Sequence, residues 1–310
     1  MAFLVAFGSC LPSHVAGNAE VSALTGVDAA WIERVSGIAE RRFACDEETV
    51  VSMAVGAARD CLARAGVDAT ALGLILVSSG TSERRFPGPA AAVAAGLGLT
   101  STPAIDLPLA SAGSLAGLAL ADRLAPAYGK VLIVASEKLS PIFTRPPINQ
   151  TTAVLFGDGA GACLIDPDQG AARIVASDFH TDGTFAGDLR LEFEGPIEMN
   201  GRTVILQATR KLPRAISAVL ERSGRTVQDV GAFLLHQANQ NLLDRLAAAL
   251  GVQPALFYSN IRRYGNTSSA SLLIAAKEWL DEVGFESGVP VVFAAFGAGF
   301  HWGALLAEGV

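Results

Sequence analysis

Apolar and polar positions along the chain predict helices and strands in an order that occurs twice. In the first half, an amphipathic helix over residues 51–66 ends at Gly66 and precedes an apolar strand at 72–80. In the second half, a helix over 212–224 ends at Gly224 and precedes an apolar strand at 230–235. Both halves therefore begin with the same sequence of local structures.

The correspondence continues to the end of each half. A strand and helix on either side of residue 111 match a strand at 255–261 and a helix that begins near Thr267, and later strands and glycine-rich turns also match. Strands that are apolar throughout predict sheets covered on both faces, and the repeated order predicts an internal duplication of α/β units. We divide the chain into an N-terminal half, 1–168, and a C-terminal half, 169–310.

Composition narrows the classes of function. The 310 residues are 51% hydrophobic and 17% charged, enough apolar material for a large core. The net charge of −7, without a basic block, argues against a nucleic-acid partner. Prolines interrupt the longest uncharged stretch, and the N-terminus lacks a basic region, so we expect neither a membrane span nor a signal peptide, and a cytoplasmic protein. The four cysteines form no metal or redox motif, and we expect no metal and no redox cofactor.

Three polar residues are candidates for a reaction centre. Residues 104–110 are predicted to form a buried strand that turns abruptly into a helix, with Ser111 at the junction. Free N–H groups and the positive end of the dipole at a helix N-terminus favour a developing anion, so this position suits a nucleophile. His236 and Asn266 also follow predicted strands, where ligands collect in α/β sheets. A helix cap, a core histidine and a turn residue are the structural alternatives for these three positions.

Four motifs in order carry a resemblance to a known family: 156–162 (FGDGAGA), 236–239 (HQAN), 265–271 (GNTSSAS) and 296–303 (FGAGFHWG). Over essentially its whole length the chain resembles thiolase-fold condensing enzymes of the β-ketoacyl-acyl-carrier-protein synthase III type. The resemblance implies a five-layered αβαβα fold built from two duplicated halves and a homodimer. It also implies an acyltransferase that loads an acyl group from acyl-CoA and condenses it with a malonyl unit, with acyl carrier protein as a candidate partner.

The same resemblance assigns roles to individual residues. The family nucleophile is a cysteine, and the matching position here is Ser111. His236 and Asn266 match the family's catalytic histidine and asparagine. The backbone N–H groups of Ser111 and Ala298 match the oxyanion hole.

Two further positions are implied to bind substrate. Trp31 matches a tryptophan that holds coenzyme A near the tunnel mouth, and Phe86 matches a phenylalanine that closes the acyl pocket across the dimer. The family's coenzyme A arginines align with Val35 and Gln150, and cations of the carrier-facing surface are also replaced. These cations would contact phosphate. Their loss means that the sequence does not decide which carrier brings the acyl donor.

The serine leaves several functions open. A thiol can ionise at a helix N-terminus, but a hydroxyl needs a base within hydrogen-bonding reach, and His236 is the candidate. Ser111 is then a working nucleophile in a specialised acyltransferase, or the product of a natural or engineered change from cysteine in an ordinary synthase III. A Ser–His thioester hydrolase and a non-catalytic partner subunit are the remaining alternatives.

Overall fold

The computed structural model describes residues 1–141, 147–192 and 195–310. Its strands are β1 (Phe3–Cys10), β2 (His14–Gly17), β3 (Glu40–Phe43), β4 (Leu72–Ser78), β5 (Ala104–Leu107), β6 (Lys130–Glu137), β7 (Gly159–Asp166), β8 (Ala172–Thr181), β9 (Leu189–Arg190), β10 (Glu198–Met199), β11 (Ala232–Leu235), β12 (Phe257–Tyr258), β13 (Pro290–Gly297) and β14 (His301–Gly309). Its helices are α1 (Asn18–Thr25), α2 (Ala29–Ser36), α3 (Val50–Ala65), α4 (Pro89–Gly96), α5 (Gly113–Tyr128), α6 (Gln150–Ala153), α7 (Gly201–Arg222), α8 (Gln240–Leu250), α9 (Ile261–Tyr264) and α10 (Ser271–Glu282).

The main sheet consists of two halves with the same strand arrangement. Its order is β12-β11-β13-β14-β8-β1-β7-β6-β4-β5, and a short β1–β8 pairing joins the halves. In the N-terminal half β4 is parallel to β5 and β6, and β7 is antiparallel to β6 and β1. In the C-terminal half β11 is parallel to β12 and β13, and β14 is antiparallel to β13 and β8. The two halves therefore have one topology.

Helices cover both faces of each half-sheet. Helix α3 packs on β1, β6 and β7 at one outer face, and α7 packs on β8, β13 and β14 at the other. Between them, α5 contacts strands of both halves, and α10 lies against β1, β7 and β11. Buried apolar clusters fill the central layer and each outer layer. This is the predicted layered fold, and the prediction of two duplicated halves is confirmed.

Local sequence signals explain where key helices begin and end. Helix α3 begins at a reciprocal pair in which the Thr49 side chain accepts from the Ser52 N–H and the Ser52 hydroxyl accepts from the Thr49 N–H, at 3.0 and 2.8 Å. It ends at Gly66, whose positive φ of 64° costs glycine little. In α8, the Asn239 side chain accepts from the Asn241 N–H at 2.8 Å.

One predicted element differs from the structure. The strand predicted as buried over 104–110 is only four residues long, and it lies at the edge of the sheet, where β4 is its one neighbour within the described ranges. Ile105 is 48% exposed, and the Asp106 carboxylate accepts from the Ala90 N–H at 2.8 Å. Within the single chain the prediction of burial is wrong, because apolar sequence does not distinguish an edge strand from a central one. The proposed division at 168/169 lies in the β7–β8 connection. No helix within the described ranges is long and apolar enough to cross a membrane.

Candidate active site

One cavity brings the predicted catalytic residues together. Ser111, His236, Asn266 and Ala298 all line it, and its volume is about 1150 Å³ including the open mouth. Ser111 follows β5, His236 follows β11 and Ala298 follows β13. The carboxyl ends of strands from both halves thus converge on one space, as expected for a ligand site in α/β sheets.

Ser111 lies in a strained turn just before α5. It is buried, and its φ of 62° is in the left-handed region that non-glycine residues rarely adopt. The neighbouring Gly297 packs directly on this turn: an added Cβ would overlap the Ala110 carbonyl oxygen and lie 2.7 Å from the Ala112 nitrogen. Close backbone packing therefore fixes the position of the serine.

A second serine in a strained conformation, Ser268, accepts a hydrogen bond from the backbone of Ser111. The Ser111 N–H donates to the Ser268 Oγ at 3.0 Å, and Ser268 has a φ of 48°. Within the described ranges these two are the non-glycine residues with positive φ. The N–H predicted to belong to an oxyanion hole thus has the Ser268 hydroxyl as its acceptor in this structure. Ala298 follows Gly297 in the turn that packs on residues 110–112, so its backbone lies beside the same position.

His236 is buried and hydrogen-bonded through one ring nitrogen. Its Nδ1 lies 2.6 Å from the Ser271 Oγ, which also accepts from the Gln237 N–H at 3.0 Å. Burial lowers the pKa of His236 to about 4, and a backbone hydrogen bond with Ser268 opposes that shift only in part. The ring is therefore neutral near pH 7, the form that can accept a proton.

Asn266 forms hydrogen bonds with three segments of the cavity wall. Its Oδ1 accepts from the Ser268 N–H at 2.8 Å, and its Nδ2 approaches the Ala238 carbonyl at 3.5 Å. Its backbone N–H donates to the Leu155 carbonyl, at 2.9 Å. Gly265, at a φ of 63°, makes the turn that leads into it. The asparagine thus orients the turn that contains Ser268.

Trp31 and Phe86 are not part of the cavity wall within the described ranges. Trp31 is half-buried on α2, where it packs against a separate apolar cluster. Phe86 is 86% exposed in the connection between β4 and α4. Their roles in substrate binding stay predictions, and Phe86 is placed where a second chain could cover it.

Three residues of the site were not predicted from the sequence: Glu137, Ser268 and Ser271. The two serines lie in the 265–271 motif, but serines before a helix are usually caps, so their spacing gave no separate signal. Glu137 ends the apolar strand β6 and is fully buried. A lone carboxylate at the end of such a strand is the signal that could have identified it.

The rest of the cavity wall is mainly apolar. Leu189 and Met199 come from the short β9–β10 pair, Ile205 from α7, and Leu242 and Leu246 from α8. Such a wall suits an alkyl chain or the arm of a thioester and supplies few polar contacts.

The fold is a duplicated, layered α/β structure, and serine, histidine and asparagine line an apolar cavity where its halves meet. These features define an acyltransferase of the thiolase-fold condensing class. Family models agree: residues 105–183 match the model of 3-oxoacyl-[acyl-carrier-protein] synthase III, and residues 220–308 match its C-terminal model.

Whole-chain relatives lead to the same family. The chain is 35% identical to β-ketoacyl-[acyl-carrier-protein] synthase III of Geobacillus kaustophilus, with 97% of each chain covered, and 33% identical to that of Aquifex aeolicus, with 98% of each covered. The crystal structure of the Aquifex aeolicus synthase matches with a TM-score of 0.94, at 32% identity over 99% of this chain and 100% of that one. The priming β-ketosynthase of the R1128 polyketide pathway matches with a TM-score of 0.90, at 31% identity over 100% and 97%. The chain belongs to the β-ketoacyl-[acyl-carrier-protein] synthase III family.

Proposed function

We propose that this protein transfers an acyl group from acyl-CoA to Ser111 and condenses it with a malonyl thioester, carried by coenzyme A or acyl carrier protein, or with another acceptor. One observation carries the proposal: Ser111 lines the same apolar cavity as a buried, neutral His236. A serine hydroxyl needs a neighbouring base, and a neutral imidazole is suited to that role.

The loading step follows from these groups. His236 takes the Ser111 proton as the oxygen attacks the thioester carbonyl, and the tetrahedral intermediate carries its negative charge toward the N–H groups of Ser111 and Ala298. Collapse expels the thiolate, which takes the proton from His236, and leaves an ester on Ser111. For the carbonyl oxygen to use the Ser111 N–H, it must replace the Ser268 Oγ that is now its acceptor.

The condensation step uses the same histidine together with Asn266. His236 first takes a proton from solvent, and it and Asn266 donate hydrogen bonds to the malonyl thioester carbonyl while the C–C bond to the carboxylate breaks and CO₂ leaves. The resulting enolate carbon attacks the Ser111 ester, and the serine oxygen leaves and takes that proton from His236. An oxygen ester is a less activated donor than a thioester, so this step is slower than in a cysteine enzyme, other things equal. No resident metal or redox cofactor takes part in this scheme.

A homodimer is part of the proposal. The outer edge of β5 has no partner strand within the described ranges, and it exposes Ile105, while the nearby connection exposes Phe86. Open apolar edges favour pairing with another strand, and a second copy of this chain would cover both residues. Sedimentation with and without Phe86→Ser tests this part separately.

The direct test is intact-protein mass spectrometry after incubation with a panel of acyl-CoAs. We expect an acyl adduct on the natural chain and on Ser111→Cys, and none on Ser111→Ala. An adduct on Ser111→Cys alone would mean that the serine blocks loading and would contradict the proposed acyl-enzyme. Free acid without a condensed product would favour the thioester hydrolase, and no turnover at all would favour a partner subunit.

A further inference from the structure

Glu137 is a buried carboxylate beside the reaction centre that the proposed chemistry does not use. It lies at the end of β6, is fully buried and borders the cavity. Within the described ranges, no lysine, arginine or histidine forms an ion pair with it. A buried charge without a cation requires hydrogen-bond donors.

The donors come from two separate turns. From the turn after β4, the Gly80 N–H and the Thr81 hydroxyl donate to Oε2 at 3.0 and 2.7 Å. From the turn before α10, the Ser269 hydroxyl donates to Oε1 at 2.7 Å and its N–H at 3.3 Å. Glu137 therefore joins segments that flank Ser111 from both halves of the chain.

The residue next to Ser269 extends this arrangement to Ser111. Ser268 precedes Ser269 in the same turn, and its Oγ accepts a hydrogen bond from the Ser111 N–H at 3.0 Å. The connection runs from the Glu137 carboxylate through the hydroxyl and N–H of Ser269 to the adjacent Ser268, and from Ser268 to the strained backbone at residue 111.

We propose that Glu137 is a positioning residue for acyl loading, acting through Ser268 on the Ser111 turn. Its hydrogen bonds from Ser269 fix the turn at 268–269, so the Ser268 oxygen holds the Ser111 N–H where the substrate oxyanion will bind. The carbonyl oxygen of the incoming thioester then replaces an acceptor of the same kind at the same place, and the turn needs little rearrangement. This inference rests on the proposed function, since it concerns loading at residue 111.

The test compares Glu137→Gln with Ser268→Ala and with their combination. Gln keeps the size of the side chain but adds a donor that faces other donors, so it loosens the hold on Ser269 and on the adjacent Ser268. We expect each single variant to slow single-turnover acyl loading at saturating acyl-CoA by about tenfold or more, with half-saturation changed by no more than about twofold. The double variant should be no slower than the slower single variant, because both changes break one connection.

Glu278→Gln is the matched control. Glu278 is another largely buried carboxylate that joins separate segments, through Asn260, Arg263 and Tyr264, but it lies outside the cavity wall. This variant should lose stability without loss of loading rate. Thermal unfolding of all variants separates a folding defect from a positioning defect.

The outcomes separate this inference from the proposed function. Natural-rate loading in Glu137→Gln or in Ser268→Ala would overturn the inference, and so would fully additive effects in the double variant. If the natural chain does not load but Ser111→Cys does, the acyl-serine proposal fails, and the same comparison in the Ser111→Cys background decides the role of Glu137. No loading in either background overturns both. If Glu137→Gln does not fold, Ser268→Ala alone decides.

Discussion

Gly297→Ala tests whether close backbone packing positions Ser111, the proposed nucleophile. The added methyl group would overlap the Ala110 carbonyl oxygen and lie 2.7 Å from the Ala112 nitrogen and 3.0 Å from the Ser111 Cβ. The two nearest obstacles are backbone atoms, which cannot move aside as a flexible side chain can. The turn at 110–112 must therefore shift by several tenths of an ångström.

Two magnitudes follow from this displacement. Overpacking a buried site costs about 1–3 kcal/mol of unfolding free energy. A displacement of about 1 Å can cost about a hundredfold in rate, so a smaller shift at Ser111 predicts a loss of about tenfold or more. The fall in loading rate at saturating acyl-CoA should exceed any change in KM, because the apolar part of the cavity wall, from β9, β10, α7 and α8, is unchanged.

The assay is single-turnover acyl loading followed by mass spectrometry, together with urea unfolding. Gly187→Ala is the control, because Gly187 is exposed, has no positive φ and has no neighbouring atom within 4 Å of the place its new methyl group would occupy. A Gly297→Ala variant that loads at the natural rate would refute the claim that this contact sets the position of Ser111. If loading requires Ser111→Cys, the comparison is made in that background.

Three further predictions concern the histidine and the cavity wall. Because burial lowers the pKa of His236 from 6.5 to about 4, the unfolded chain binds the proton first as pH falls. The unfolding free energy should therefore decrease as pH falls from 6.5 to 4, and His236→Gln should remove this part of the pH dependence. Urea titrations across pH would measure both, and equal pH dependence in the two proteins would contradict the burial of His236. Ser271→Ala removes two hydrogen bonds worth about 1 kcal/mol each and should lower the maximal loading rate about tenfold with KM spared, while an unchanged rate would show that Ser271 does not orient the ring. Ile205→Trp, at a partly exposed position on the cavity wall, should raise KM for long acyl-CoAs more than for acetyl-CoA. Leu206→Trp, one residue further and off the wall, should not, and equal effects of the two would count against acyl-chain binding along this part of the wall.

The sequence was sufficient to predict the order of elements and the group at the centre of the cavity. Apolar strands, glycine helix ends and polar residues after strands are local patterns, and the duplication repeats them, so Ser111, His236 and Asn266 could be located by their place in each unit. The fold and family followed from the same motifs.

Other features depend on packing that local pattern does not specify. Hydrophobicity at 104–107 is the same for an edge strand as for a central one, and a tryptophan on α2 gives no indication of which neighbour it packs against. In the sequence, Ser268 resembles a helix cap, and Glu137 resembles an isolated charged residue. Their connection exists only because residues 79–81, 137 and 268–269, far apart in the chain, are adjacent in the fold.

The hydrogen bond between Ser111 and Ser268 also joins corresponding points of the duplicated architecture. One serine precedes the central helix of its half, α5, and the other precedes the central helix of its half, α10. Under the proposed mechanism, one copy of the turn carries the nucleophilic hydroxyl, and the other copy accepts a hydrogen bond from its backbone. Neither half alone contains both groups of this contact, and a change that relaxes either copy alters the geometry of both.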